Sequence, residues 1–475
     1  MQNGLLLSSS LGNYTSSYAY DNTGNIDTFT TKYNTTDLFK TVYEKDSLSR
    51  ITKITETIEG VSTETEYRYN QIGYLVEVKQ NGIVSTQYSY DNNGNRLMTI
   101  KNPMTTNDTL LAVYDNQDRM LTNGTESYIY GKRGNLQAKV SGTDTTKYYY
   151  DNLGNINSVI LADGTIIDYV IDGQNRRIAK LLNGQITKKW LSQDQLNPVA
   201  ELDSANNIVA RYVYGTKANV PEYIVKADTT YKIISDHLGS VRMLVNTSNG
   251  NIAQQMDYDA WGNQVSNLGS NISSLSFAGG LYDEHTGLVR FGARDYDATV
   301  GRWTSKDPIL FAGGQSNLYE YCLNDPINIL DPNGLQVIGI YSKSSGKIHA
   351  LDLNTFDVVN INAESGGKPF GDPIPNGLYE ILDQAQNPES FRLDAADRYP
   401  RNDVHESSGR NRFRLHEPGN TIGCIAATNT TGWQSLKNLL NNTKTTQVPD
   451  NAKPWWKFWG GQEYIKRYGF FYVRD

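Results

Sequence analysis

The sequence predicts a mainly β fold, and three of its features lead to that prediction. Tyrosine is frequent, with 32 residues against 12 phenylalanines, and its ring favours half-buried strands. Glycine is also frequent, with 41 residues, and it often stands beside asparagine in pairs that suit tight hairpin turns. Period-two alternation, as in residues 67–69 (Tyr-Arg-Tyr) and 128–130 (Tyr-Ile-Tyr), indicates two-faced strands. We therefore expect many short strands joined by tight turns.

A six-residue pattern recurs between Met1 and about Val170. Residues 20–25, 90–95 and 150–155 all read Tyr-Asp-x-x-Gly-Asn, and together with degenerate copies they recur at a spacing of about 16–26 residues, a repeat period. Because one hairpin cannot bury its own apolar face, neighbouring units are expected to stack into a long, curling β-sheet. Degenerate copies begin at Tyr43, Tyr69, Tyr114 and Tyr130.

Composition limits the classes of function. The chain has 475 residues, enough for several domains, and its net charge of −7 argues against a nucleic-acid partner. Two separate cysteines form no disulfide framework, and no cofactor or metal is expected. Residues 1–7 lack the features of a signal peptide, and no apolar run is long enough for stable membrane insertion. Export would use another route, or the chain is the C-terminal piece of a longer one.

The repeats resemble those of the Rhs/YD-repeat family of polymorphic toxins, whose members wind them into a hollow β-shell around a C-terminal toxin. The resemblance implies a YD-repeat shell over residues 1–234, a core-associated region over 235–335 and a toxin domain over 336–475. The motifs of the core-associated region are Asp-His-Leu-Gly-Ser at 236–240, Tyr-Asp-Ala-Trp-Gly at 258–262, Phe-Gly-Ala-Arg-Asp-Tyr-Asp at 291–297, Gly-Arg-Trp at 301–303 and Asp-Pro-Asn-Gly-Leu at 331–335.

The same resemblance implies an aspartyl self-protease that cuts between Leu335 and Gln336. Such chemistry needs two carboxylates, one to activate water and one to protonate the carbonyl. Asp307 and Asp331 fit by motif, although residues 307–310 lack the glycine of the pattern. Arg302 is expected to hold one carboxylate ionised by charge pairing. Asp325, which also precedes a proline, is a competing candidate, and Asp-Pro pairs that merely start turns are the structural alternative.

From Gln336 the repeat stops, and the pattern predicts a small, mostly β domain with its main helix at residues 433–440. Cys424 is a candidate nucleophile, His416 its candidate base, and the backbone N–H groups near Gly423 and Cys424 a candidate oxyanion hole. His405 is an alternative base. A buried structural cysteine and histidine are the alternative explanation for the pair.

This region resembles the L,D-transpeptidase-like (YkuD-type) fold, especially its small antibacterial effector branch. The matching motifs are Asp-Pro-Ile-Pro-Asn-Gly-Leu-Tyr at 372–379, Phe-Arg-Leu-His at 413–416 and Gly-Cys-Ile at 423–425. The second histidine of the family is replaced by Ile422, and the arginine that often follows the cysteine by Ala426. The resemblance implies attack by Cys424 on an amide of the peptidoglycan stem peptide, followed by hydrolysis or exchange.

The predicted substrate-binding residues are Arg412, Arg414 and Asn420. Arg412 and Arg414 share a strand face, on which they suit a carboxylate, although an ordinary solvated face is equally consistent. The expected partners are the stem peptide, a cognate immunity protein and a secretion apparatus, for a secreted effector that acts in the target-cell periplasm or wall. A structural shell with a tail that binds wall or partner, and a cysteine protease toxin, are the alternatives.

Overall fold

We used a computed structural model of the chain. It describes residues 6–21, 25–46, 50–194, 196–215, 217, 220–308, 317–331, 339–342, 347–351, 358–365, 374, 377–382, 390–395, 404–405, 410–411, 413–418, 424–442, 446–449 and 464–474. Among them, no helix is long and apolar enough to cross a membrane.

The repeats form one antiparallel meander, in which each strand pairs with the next along the chain. The sheet does not end near residue 234 but continues to Gly269. Its strands are β1 Ser8–Leu11, β2 Tyr14–Tyr20, β3 Ile26–Tyr33, β4 Thr36–Lys45, β5 Ile51–Ile58, β6 Val61–Tyr69, β7 Leu75–Gln80, β8 Ile83–Tyr90, β9 Arg96–Lys101, β10 Asp108–Tyr114, β11 Met120–Asn123, β12 Glu126–Tyr130, β13 Leu136–Ser141, β14 Asp144–Tyr150, β15 Ile156–Ile160, β16 Ile166–Ile171, β17 Arg177–Leu182, β18 Gln185–Ser192, β19 Pro198–Leu202, β20 Ile208–Val213, β21 Tyr223–Lys226, β22 Thr229–Ser235, β23 Val241–Asn246, β24 Ile252–Tyr258 and β25 Gln264–Gly269.

The Tyr-Asp-x-x-Gly-Asn pattern builds the turn between two strands. The register shifts just before the tyrosine, as between Tyr149 and Tyr150, and the aspartate then bonds the turn. In the copy at residues 150–155, Asp151 accepts backbone N–H bonds from Leu153 at 2.8 Å and Asn155 at 3.0 Å. Its second oxygen accepts the Asn155 amide at 2.8 Å. The short Asp side chain thus satisfies turn N–H groups that the bulged ladder leaves unpaired.

The meander curls until its two ends meet. Tyr14 on β2 donates its hydroxyl to the carbonyl of Asn246, at the end of β23, at 2.8 Å. Arg242 on β23 makes a bidentate pair with Glu56 on β5, at 2.6 and 2.8 Å. This arrangement confirms the predicted curling sheet and the mainly β fold class.

Residues 270–308 and 317–331 pack against one face of this sheet, which we call the inward face. They contain a small antiparallel sheet of four strands and two short 3₁₀ turns. Their aromatic residues form a core cluster that includes Phe291, Tyr296, Trp303 and Tyr321. The strands are β26 Leu281–Tyr282, β27 Val289–Phe291, β28 Arg294–Asp297 and β29 Arg302–Trp303, and the 3₁₀ turns are Phe277–Gly279 and Cys322–Asn324.

This segment is anchored on the asparagines that end the six-residue turns. Asn95 accepts the Arg302 guanidinium at 3.1 Å and the Asn317 amide at 2.8 Å. Asn155 accepts the Arg290 guanidinium at 2.5 Å. Two copies of the strict motif therefore serve a non-local purpose, because their asparagine side chains receive arginines that lie more than a hundred residues away.

The C-terminal part forms a second sheet with the strand order β30-β31-β32-β38-β37-β34-β33-β40-β39, which closes on itself because β30 also pairs with β40. The predicted helix is confirmed, and its Trp433, Leu436 and Leu440 lie in the core. The elements are β30 Gly339–Ser342, β31 Lys347–Leu351, β32 Val358–Ser365, β33 Gly377–Leu382, β34 Ser390–Ala395, β35 Val404–His405, β36 Arg410–Asn411, β37 Arg414–His416, β38 Ile425–Ala427, α1 Thr430–Asn442, β39 Thr446–Pro449 and β40 Tyr464–Arg474.

Candidate functional sites

The structure places the two predicted carboxylates of the self-cleavage site on one arginine. The Arg294 Nη2 atom lies 3.0 Å from Asp307 Oδ2 and 3.3 Å from Asp331 Oδ2. Asp307 follows β29, and Asp331 closes the segment that packs on the inward face. Residues 24 apart in sequence therefore meet at a single guanidinium.

This trio of Arg294, Asp307 and Asp331 is buried. Each of the three side chains is at most 5% exposed. The Arg294 guanidinium carbon also stacks 4.2 Å from the centroid of the Trp303 ring. Two carboxylates therefore share one guanidinium in a place that water hardly reaches.

Arg294 makes the ion pairs that the sequence analysis assigned to Arg302. In the described part of the chain, Arg302 donates to the side-chain oxygens of Asn95 and Asn317, at 3.1 and 3.2 Å, and to the carbonyl of Asp118 at 2.6 Å. Its guanidinium is therefore bound to two turns of the repeat sheet, those that contain Asn95 and Asp118. The sequence contained a signal for Arg294, because it lies in the Phe-Gly-Ala-Arg-Asp-Tyr-Asp motif at 291–297.

The competing carboxylate, Asp325, has a different environment. Its side chain accepts two bonds from the Asn328 amide, at 2.8 and 3.0 Å. Burial raises the pKa of Asp325 to about 6. Asp325 is thus bonded to Asn328, whereas Asp307 and Asp331 are paired with Arg294.

In the C-terminal part, His416 and Cys424 come from neighbouring parallel strands. His416 ends β37 and pairs with Ala426, and Leu415 pairs with Ile425. Cys424 directly precedes β38, so its Cα lies about 8 Å from that of His416 by standard strand dimensions. The alternation of β38, extended by one residue, puts Cys424 on the His416 face, while Leu415 and Ile425 point into the core.

The backbone selects the tautomer of His416. Its Nδ1 atom lies 2.7 Å from the carbonyl oxygen of Glu417. A carbonyl only accepts, so Nδ1 carries the proton and donates it. The Nε2 atom is then left with its lone pair, which is the state of a general base.

Arg414 shares the strand face of His416, and Arg392 on β34 pairs with it in register. The sequence analysis missed Arg392, since the pairing of β34 with β37 joins segments that lie 22 residues apart. Two guanidinium groups on neighbouring strands beside His416 suit a carboxylate ligand. The Arg414 Nη1 atom also donates to the carbonyl of Phe413 at 2.7 Å.

Several predicted residues lie outside the described residues, so their placement stays a prediction. They are Leu335, Gln336, Arg412, Asn420 and Gly423. His405 lies on β35, which pairs with β36 in a separate two-stranded sheet. No group of three or more His, Cys, Asp or Glu side chains with the geometry of a metal site occurs among the residues that were placed.

Comparison with known proteins matches the repeat region. Residues 1–327 match the family model described as the teneurin YD-shell. The chain is 30% identical over 277 residues to the tRNA3(Ser)-specific nuclease WapA of Bacillus spizizenii. This match covers 56% of this chain and 12% of that protein. It is 29% identical over 301 residues to teneurin-3 of Mus musculus, which covers 59% and 10% respectively. The chain thus spans about a tenth of the length of these relatives.

Solved structures share the fold of the same region. The Photorhabdus luminescens Tc holotoxin pore matches with a TM-score of 0.55 and 17% identity, over 68% of this chain and 18% of that chain. The TcdB2-TccC3-TEV crystal structure matches with a TM-score of 0.55 and 18% identity, over the same shares. At such identity the likeness concerns fold alone.

Proposed function

Because the chain belongs to the teneurin YD-shell family, we propose that it is a toxin-bearing YD-shell protein of the Rhs type. In this proposal it cuts itself after Leu335 and releases residues 336–475 as a cysteine-dependent effector. Some relatives are named as nucleases and others as toxin components, which supports a polymorphic toxin role. The observation that carries the self-cleavage step is the buried trio of Arg294, Asp307 and Asp331.

Acid–base cleavage requires one ionised and one protonated carboxylate. In this proposal Arg294 pairs with the ionised carboxylate, and the other carboxylate holds the proton. The ionised carboxylate takes a proton from water as the water attacks the Leu335 carbonyl, and the protonated one donates to the carbonyl oxygen. As the resulting intermediate collapses, the C–N bond to Gln336 breaks, the first carboxylate gives its proton to the leaving amine, and the second takes its proton back from the hydroxyl. The scissile bond is only four residues beyond Asp331, so it lies within about 14 Å of that Cα along an extended chain.

Self-cleavage is tested by purifying the full chain and its Asp331→Asn and Asp307→Asn variants and reading their intact masses. We expect the unmodified chain to yield fragments 1–335 and 336–475, and either variant to stay whole. Asp325→Asn is the matched control, since Asp325 also precedes a proline but is not bonded to Arg294. Cleavage that persists in Asp331→Asn, or that is lost only in Asp325→Asn, contradicts the proposal.

For the released part, we propose hydrolysis or exchange of an amide in the peptidoglycan stem peptide. His416 Nε2 accepts the proton of the Cys424 thiol, and the thiolate attacks the amide carbon. The C–N bond then breaks, His416 gives the proton to the leaving amine, and an acyl-enzyme remains. Water or a D-amino acid then releases the acyl group. Arg414 and Arg392 are the candidate partners of a stem carboxylate. The carbonyl of Glu417 supports this assignment, because it leaves Nε2 as the basic nitrogen.

The test incubates the full chain with purified stem-peptide fragments and follows their masses. Loss or replacement of a terminal D-alanine is expected with the unmodified chain and not with Cys424→Ala. The Asp331→Asn chain keeps Cys424 but stays whole, so it shows whether release is needed for activity. If wall fragments are unchanged while protein substrates are cut in a Cys424-dependent way, the cysteine protease alternative replaces this one. Unchanged substrates of both kinds favour the structural shell with a binding tail.

A further inference from the structure

Two buried arginines lie side by side where residues 270–308 and 317–331 meet the repeat sheet. Arg177 begins β17 and Arg290 lies on β27, and they are 6% and 4% exposed. Both bind the carboxylate of Asp295, Arg177 at 2.9 Å and Arg290 at 3.0 Å. The group therefore holds two positive charges against one negative charge.

The surrounding groups leave that excess in place. The Tyr169 ring lies 3.6 Å below the Arg177 guanidinium, and the neutral Asn155 amide oxygen accepts from Arg290. Asp283 is held by Lys180 at 2.8 Å, so its charge is already compensated. The Asp151 carboxylate also attracts Arg290, but without direct contact, because the Asn155 side chain accepts from Arg290 and donates to Asp151. A buried cation without a full counter-charge is costly, so a further anion would stabilise this arrangement.

A small cavity adjoins both arginines. It measures about 40 Å³, and its lining includes Arg177, Arg290, Ser192 and Gly292. Within the described part of the chain, the Nε–H groups of Arg177 and Arg290 are buried without a hydrogen-bond acceptor. A cavity of this size holds about one to three waters or one small ion.

We propose that this cavity binds a small monovalent anion of halide size, with chloride as the physiological candidate. The Nε–H groups of Arg177 and Arg290 donate to it, and its charge balances the excess cation. Because Arg177 belongs to the repeat sheet and Arg290 to the segment packed on it, the anion ties the two together. Binding in the folded state alone stabilises the chain by mass action.

The first experiment measures thermal unfolding of the full chain at constant ionic strength. Sodium gluconate is replaced stepwise by sodium chloride or sodium bromide. We expect a saturable rise of the unfolding midpoint by about 3 °C with either halide. Sodium sulfate, which stabilises proteins generally by exclusion from their surface, should raise the midpoint without saturation. A midpoint that responds identically to all anions, or to the halides without saturation, means that the cavity holds water only and overturns the proposal.

Variants then assign the effect to the cavity. Arg290→Lys keeps the positive charge but removes the Nε–H donor, so the halide concentration for half-saturation should rise at least tenfold. Arg176→Gln is the matched control, because Arg176 also lines the cavity but is paired with Asp172 at 2.7 Å. It should keep the halide response.

If Arg290→Lys does not fold, bromide-soaked crystals of the unmodified chain decide the question. An anomalous peak between Arg177 and Arg290 is expected. A peak elsewhere, or none, refutes the site.

Discussion

The inward and outward faces of the repeat sheet differ in burial, although neighbouring residues of the same strands form both. In β12, Tyr128 points inward and is 4% exposed, while the next residue, Ile129, points outward and is 53% exposed. The inward positions meet residues 270–308 and 317–331 and are tyrosines or other large residues in most copies. The matched outward position holds Glu44 opposite Lys53 and Arg68 opposite Glu77 in one half of the sheet. In β10, β12 and β16 it holds the exposed Val113, Ile129 and Val170.

This difference shows which positions the fold dictates. The outward position carries an ion-paired arginine in β6 and an isoleucine in β12, so the hairpin does not restrict which residue type stands there. The inward face is constrained, because its partners come from a distant segment and are buried. Stability should therefore respond strongly to inward changes and weakly to outward ones, although both lie on identical hairpins.

The largest difference is expected between two arginines. Arg302→Met removes an inward guanidinium that donates to Asn95, Asn317 and the carbonyl of Asp118, at a cost of about 3 kcal/mol in the free energy of unfolding. Arg68→Met removes an outward guanidinium that is 63% exposed in its pair with Glu77, at a cost below about 1 kcal/mol. Urea unfolding of both variants measures this difference. Equal losses would mean that the inward contacts do not dominate stability.

The next largest effect depends on pH. Burial raises the folded-state pKa of Asp325 to about 6 from 3.8, so the folded state holds the proton more tightly than the unfolded state does. Its contribution to stability is therefore present at low pH and is lost as pH rises through about 4 to 6, a penalty on the order of 2 kcal/mol at pH 7. Asp325→Asn should remove this slope and raise the urea midpoint at pH 7.

The exposed turn residue Asp203 is the control for that experiment. Hydrogen bonds from Asn207 and the turn N–H groups lower its pKa. Its contribution is present at neutral pH and is lost as pH falls, which is the opposite sign. Asp203→Asn should therefore weaken the pH dependence of the free energy of unfolding only at acid pH. An Asp325→Asn variant that loses midpoint at pH 7 would contradict the assignment of Asp325 as a destabilising buried carboxylate.

Local parts of this fold could be read from the sequence, and non-local parts could not. The turn at residues 150–155 and the two-faced strand of residues 128–130 follow from patterns within a few residues. The pairing of Arg294, rather than Arg302, with the two carboxylates does not follow from such patterns. It depends on a contact between distant residues, in which Arg302 binds the turn at Asn95. The same limit explains why Arg392 was missed, since the β34–β37 pairing joins strands that are not consecutive.

A smaller effect separates two glycines of the strict motif. Gly94 and Gly154 both have positive φ, +81° and +91°, so alanine strains each turn by about 1 kcal/mol. A Cβ on Gly94 would also lie 2.7 Å from Glu320 Oε1 and 3.0 Å from Asn324 Nδ2, whereas none lies within 4 Å at Gly154. Gly94→Ala should thus cost about 1–2 kcal/mol more than Gly154→Ala. Equal urea midpoints for the two variants would show that residues 317–331 shift to accommodate the added Cβ without cost.

The smallest effect concerns the outward face itself. Replacing Ile129 by lysine should change the free energy of unfolding by less than about 0.5 kcal/mol, because the same position on β6 already carries Arg68 and the side chain is largely in water. Val170→Lys, at the matched position of β16, should behave alike. Urea midpoints of the two variants test both values. A loss above 1 kcal/mol in either would mean that this apolar row is covered in the folded protein, and the outward face would then be as constrained as the inward one.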